Sequence, residues 1–138
     1  MAVSGKRVSS AEINNLLTGW QTYSPLLYST MSTTKTSITR TVTAAQYVAR
    51  AGIVQVMVDI LAGATSSGGC GVQLPVSALA ATPPLLGQAV ITGASAPTTP
   101  LLAMVVASLD TIVVMLPSTA FQDITSGQRI RLNLSYRS

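Results

Sequence analysis

The chain has 138 residues, enough for one domain with its own core. Charged residues make up 9%, against roughly 25% in an ordinary soluble domain, while hydrophobic residues reach 48%. The absence of histidine, the single cysteine and the four acids argue against a metal centre, a disulfide or CxxC site, and paired-carboxylate chemistry, so neither an enzyme nor a cofactor is expected.

The formal charge of +4 reflects few acids rather than many bases. Lys6, Arg7, Lys35, Arg40, Arg50, Arg129, Arg131 and Arg137 form no dense stripe, and only 4% of residues are aromatic. Nucleic acid is therefore not an expected partner. No apolar run follows Lys6–Arg7, so no signal peptide is expected.

In chain order, a short helix comes first. Ser9 or Ser10 can cap it, with Glu12 placed as in a capping box. Ile13, Leu16, Leu17 and Trp20 then share one face, Asn14 and Asn15 lie opposite, and Gly19 marks the end. Pro25 blocks any continuation, so residues 1–25 form an N-terminal arm and 26–138 a β-domain. The apolar face must pack on its own domain or on a neighbouring subunit.

Everything after Pro25 is expected to be β-structure, because Ser, Thr, Gly and Pro punctuate apolar runs of strand length. Thr30–Thr39 suits an exposed loop or edge strand. In Ile53–Leu61, Val54, Val56, Val58 and Ile60 face one way and Gln55, Met57 and Asp59 the other. Gly63–Gly71 is expected to be a flexible turn, Val72–Val76 a short strand, Ala78–Leu86 a loop, Ala89–Thr92 a strand and Ala94–Pro100 a loop. The run Leu101–Leu116 is shorter than a helical membrane span, contains Asp110 and lies between Pro100 and Pro117, so it suits a buried hairpin and no membrane partner is expected. Finally, Ile130, Leu132, Leu134 and Tyr136 alternate with polar residues as a half-buried strand. Many short strands and no second helical pattern point to an antiparallel sandwich or barrel.

Several residues stand out as candidate sites. Trp20 and Tyr23, with Ile13, Leu16 and Leu17, could anchor one subunit on another, or cover their own domain. Arg129, Arg131 and Arg137 could meet an acidic partner, although a cation-guarded edge strand explains them as well. Cys70 has no base to activate it. Asp59, Asp110 and Asp123 lack the spacing of a cation loop, so no metal is expected. The glycines of residues 68–71 lack the ending of a phosphate loop.

The order of these elements resembles a jelly-roll-like domain of phage virion proteins: minor tail, fibre-like and capsid decoration proteins of actinobacterial phages. Ala11, Asn14 and Leu16 followed by Trp20, Tyr23, Ser24 and Pro25 resemble its entry. Tyr47, Gly52, Gln55, Val56 and Val58 resemble its next strand, one residue out of register. Gly69, Gly71, Leu74, Pro75 and Val76 resemble its Gly-rich turn and L-P-V segment; Ser126, Gly127, Gln128, Ile130, Leu132 and Tyr136 resemble its closing strand. The region before Tyr47 departs from the pattern in being Thr- and Ala-rich, and Gln128 stands where an acid is common.

The resemblance implies an antiparallel β-sandwich with a short N-terminal helix, in a structural component of the virion exterior. It implies a homo-oligomer, typically a trimer, that decorates or cements a capsid by contacts with copies of itself and with proteins such as the major capsid protein. A minor tail, fibre or baseplate component touching the host surface is the alternative within that class. A carbohydrate-binding sandwich is the alternative outside it. A soluble monomer usually carries a more charged surface than this chain can, which independently favours burial between subunits.

Overall fold

The computed structural model describes residues 19–31, 34–79, 86–106, 108, 110–118 and 120–138. The expected helix over Ser9–Gly19 falls almost wholly on residues outside this set. Ten strands are present: β1 (Gln21–Thr22), β2 (Leu27–Ser29), β3 (Thr36–Ile38), β4 (Arg40–Arg50), β5 (Ile53–Ala62), β6 (Cys70–Gln73), β7 (Leu86–Thr92), β8 (Leu101–Val106), β9 (Thr111–Met115) and β10 (Arg129–Arg137). The protein is mainly antiparallel β, as its sequence pattern predicts. All ten strands join in one curled sheet of order β1-β4-β5-β10-β7-β8-β9-β6-β2-β3. Two stacked sheets, and hence a sandwich, are not shown by this pairing, and no α-helix occurs among the described residues.

The centre of the sheet follows from strict alternation. Val54, Val56, Val58 and Ile60 of β5 and Ile130, Leu132, Leu134 and Tyr136 of β10 point inward and are buried. They face each other across a nine-residue antiparallel register running from Arg129 opposite Leu61 to Arg137 opposite Ile53. Curling brings Leu27, Val72, Leu74, Ala89, Ile91, Leu101, Ala103, Val105, Ile112 and Val114 into the same core. Each fully buried aliphatic side chain contributes about 1.5–3 kcal/mol, and this core is the main source of stability.

The hairpin expected in 101–116 is present as β8 and β9, joined through Asp110, which has a φ of 53°. Strand β9 is buried on both faces. Its inner residues join the main core, while Val113 and Met115 meet Tyr28 and Met31 in a second cluster on the outer side, with Leu26, Met104 and Val106 packed around it. Lys35 lies 4.6 Å over the Tyr28 ring and donates to Thr111 Oγ1 at 3.0 Å, which closes that side further.

Three expectations need correction. The strand expected over Val72–Val76 runs instead from Cys70 to Gln73, because Pro75 has no N–H to continue a ladder. The Gly63–Gly71 connection is pinned rather than flexible: Ser67 O and Gly68 O accept from Thr30 N and Met31 N, and Ser66 N donates to Ile124 O at 2.8 Å. The C-terminal strand is not an edge. It lies between β5 and β7, and the edges are the very short β1 and β3.

The ends of the sheet are drawn together by the chain itself. Only Thr39 separates β3, at one end of the strand order, from β4, near the other. Tyr23 bridges the same gap: its N–H donates to Ala45 O at 3.2 Å, and its hydroxyl donates to Gln73 O at 3.2 Å. Arg40 Nε adds a bond to Pro25 O at 2.9 Å. At the end of the core, Tyr136 donates to Val76 O at 2.5 Å and accepts from Val76 N at 3.3 Å.

Gly87 is a position where the fold tolerates no side chain. A Cβ there would collide with Asn133 O and Leu134 Cβ, so β7 could not approach β10. Gly87→Ala should cost about 2 kcal/mol or more and lower Tm by at least roughly 6 °C in thermal unfolding.

Candidate interaction faces

Two halves of the sheet's outer surface differ. Over β2, β6, β9 and β8, the second apolar cluster is partly covered by Met31 and Lys35, and Phe121 lies beside it, 46% exposed, bridging to Met115. Over β4, β5, β10 and β7, the outward side chains form cross-strand rows. Ala44, Asp59, Arg131 and Val90 make one row, and Gln46, Met57, Asn133 and Gln88 the next. This second half holds two hollows of about 380 and 740 Å³, both lined by Met57, Gln88 and Asn133.

The three arginines of the C-terminal strand do not act together. Asp59 collects two of them: its Oδ1 takes Arg129 Nη1 at 2.6 Å and its Oδ2 takes Arg131 Nε at 3.2 Å. Arg129 Nη1 also reaches Thr43 Oγ1 at 2.6 Å. Arg137 lies six residues further along β10, about 20 Å away at 3.4 Å per residue. There it shares a row with Ile53 and Arg50. Burial tends to raise the Asp59 carboxyl. Hydrogen bonds from Arg129 and Arg131, and then their charges, outweigh it and hold the group below its ordinary 3.8.

The other expected positions separate as well. Asp110 lies in the β8–β9 turn. Asp123 Oδ1 accepts from Gly69 N at 2.7 Å and Ser66 Oγ at 3.2 Å, which ties residues 122–124 to the β5–β6 connection. Asp59 therefore does not converge with them, and the described residues contain no group of three or more potential metal ligands. Cys70 is buried on β6. Burial, with a smaller effect of the Asp123 charge, pushes its thiol up to about 12.

Of the expected subunit anchors, Ile13, Leu16 and Leu17 lie outside the described residues. Tyr23 is half-buried against its own core, packed edge-on to Tyr47 with ring centres 5.6 Å apart. Tyr47 in turn donates to Gln21 Oε1 at 2.8 Å. Trp20 is exposed and lines the larger hollow. Phe121, Met57 and Val90 are exposed apolar residues that sequence reasoning did not single out. Alternation placed Met57 on the polar side of its strand, but nothing local marks Val90 or Phe121 as outward.

No helix among the described residues is long and apolar enough to cross a membrane. Comparison with family models, curated proteins and solved structures gave no match.

Two outcomes follow from the titrating groups. The Cys70 thiol should resist alkylation by a maleimide or a disulfide reagent at pH 8 in the native state and react only after denaturation, as thiol counting would show. The Asp59 cluster's contribution is complete above the ordinary carboxylate value and is lost as pH falls through the lower folded value. Asp59→Asn should therefore cost less than about 1 kcal/mol at pH 7, and the penalty should shrink as pH falls below the ordinary carboxylate value in a Tm–pH series.

Proposed function

We propose that this chain is a structural protein of a phage virion, which assembles as a homo-oligomer, most simply a trimer, and decorates or cements the capsid exterior. The jelly-roll sandwich belongs to the same proposal and rests on the resemblance described above. The observation that carries the reading is a surface poor in free charge and rich in exposed apolar side chains: Phe121, Met57, Val90, Leu79 and Trp20. Charges are scarce in the sequence, and several are occupied within the fold. Lys35 bonds Thr111, Arg40 bonds Pro25 O, and Arg129 and Arg131 share Asp59.

Such a surface is stable in water when copies cover it. Adhesion then comes from apolar burial at about 25 cal/mol per Å², repeated over many equivalent contacts so that weak individual bonds sum to firm attachment. Phe121 stands beside the second apolar cluster and suits the anchor role at such a contact, where aromatic residues dominate.

Sedimentation velocity over a dilution series should give a species several times the 14.2 kDa chain mass. Phe121→Asp should weaken that association by about 30-fold or more while circular dichroism stays unchanged. A monomer at all concentrations that also fails to bind particles would overturn the reading, and cryo-electron microscopy of the particle separates a capsid site from a tail site.

A further inference from the structure

The larger hollow on the outer face, about 740 Å³, has a lining of one chemical kind. Its size falls within the roughly 300–1,000 Å³ usual for sites that hold small organic molecules. Across its floor Met57, Asn133 and Gln88 follow one another on β5, β10 and β7, and Gln55 opposite Ser135 makes the next row, about 7 Å along the strands. Trp20 lines it just before β1. Among the described residues around it there is no Asp, Glu, Lys or Arg, whereas the smaller hollow holds Asp59 and Arg131.

The polar groups of this hollow are unengaged. The side chains of Gln55, Gln88 and Asn133, the Ser135 hydroxyl and the Trp20 indole N–H make no hydrogen bond to other described residues. Each amide offers two N–H donors and one carbonyl acceptor in a plane, a hydroxyl donates and accepts, and the indole donates. Beside them Trp20 and Met57 leave apolar surface uncovered, at 37% and 52% exposure. An ionised ligand would lose hydration here without gaining a counter-charge, and a wholly apolar one would strand the amides. A nucleic acid needs cations for its phosphates, and the described lining has none. An extended peptide is recognised chiefly through its main chain at a sheet edge, and these groups stand on a sheet face. The ligand that fits is neutral, carries donors and acceptors side by side along its rim, and has an apolar face. A sugar ring has that composition, with hydroxyls around its edge and a C–H face that suits an indole.

We propose that this hollow binds a short, neutral oligosaccharide, with Trp20 and Met57 against the apolar face of a sugar ring and Gln55, Gln88, Asn133 and Ser135 bonding its hydroxyls. The inference depends neither on the proposed virion role nor on a subunit contact at Phe121.

Trp20 is the only tryptophan of the chain, so tryptophan fluorescence reports on this hollow. The test titrates the full chain with maltotriose, cellotriose, mannotriose and tri-N-acetylchitotriose, and with trigalacturonic acid as the charged counterpart. At least one neutral trisaccharide should shift the emission saturably, with a Kd of about 1 mM or below. Gln88→Ala and Asn133→Ala should each weaken that binding about fivefold or more with circular dichroism unchanged. Ser37→Ala, on β3 and outside the hollow, should leave the affinity as it was. An amide variant with altered circular dichroism is replaced by Gln55→Ala, read in the same way. Absence of a saturable shift with all four neutral trisaccharides, up to about 20 mM, would overturn the proposal. Tighter binding of the charged trisaccharide, or an affinity indifferent to the amide substitutions, would overturn it equally.

Discussion

The pairing of β5 with β10 is the constraint on which the rest of the protein depends. Nine consecutive residues of β10 oppose β5, and every second side chain on each strand is buried. A slip of β5 by one residue would turn Val54, Val56, Val58 and Ile60 outward together and bury Asp59 away from its two arginines. The apolar penalty alone, about 6–12 kcal/mol for four side chains, is comparable with the whole stability of an ordinary domain. Once that register is set, β4 and β7 add on either side, and the curl needed to cover the two central strands brings β8, β9, β6 and β2 over the opposite face of the core.

A curled sheet must also manage its ends. Here the terminal strands are only two and three residues long, and β1 covers the long β4 only at Gln46 and Tyr47. Tyr23 and Arg40 bind backbone carbonyls across the gap, so the polar cost of closure is met by hydrogen bonds rather than by a continuous ladder. Burial, helped by the neighbouring Tyr136 phenol, raises the Tyr23 hydroxyl well above its ordinary value, which keeps it a neutral donor at any physiological pH.

The outer surface inherits its character from this economy of charge. Two of the three arginines on β10, Arg129 and Arg131, are paired with Asp59. What remains is two hollows lined by amides and Met57 on one half and a compact apolar cluster bordered by Phe121 on the other.

By itself the sequence determined the β character, the inward sets of β5 and β10 and the β8–β9 hairpin, because each depends on local alternation or turn residues. It hid β4, the longest strand, since the bulge between Val42 and Ala44 breaks the period of two that would have revealed it. Alternation put Asp59, Arg129 and Arg131 outward, but their meeting joins residues seventy positions apart and needs the register of two strands. The same holds for Phe121, which lies outside the named strands and is placed by its bridge to Met115. Only the tertiary structure decided the single curled sheet, the central place of β10 and the two outer faces, because strand order is set by which inward faces can share one core, and no short stretch of chain carries that information.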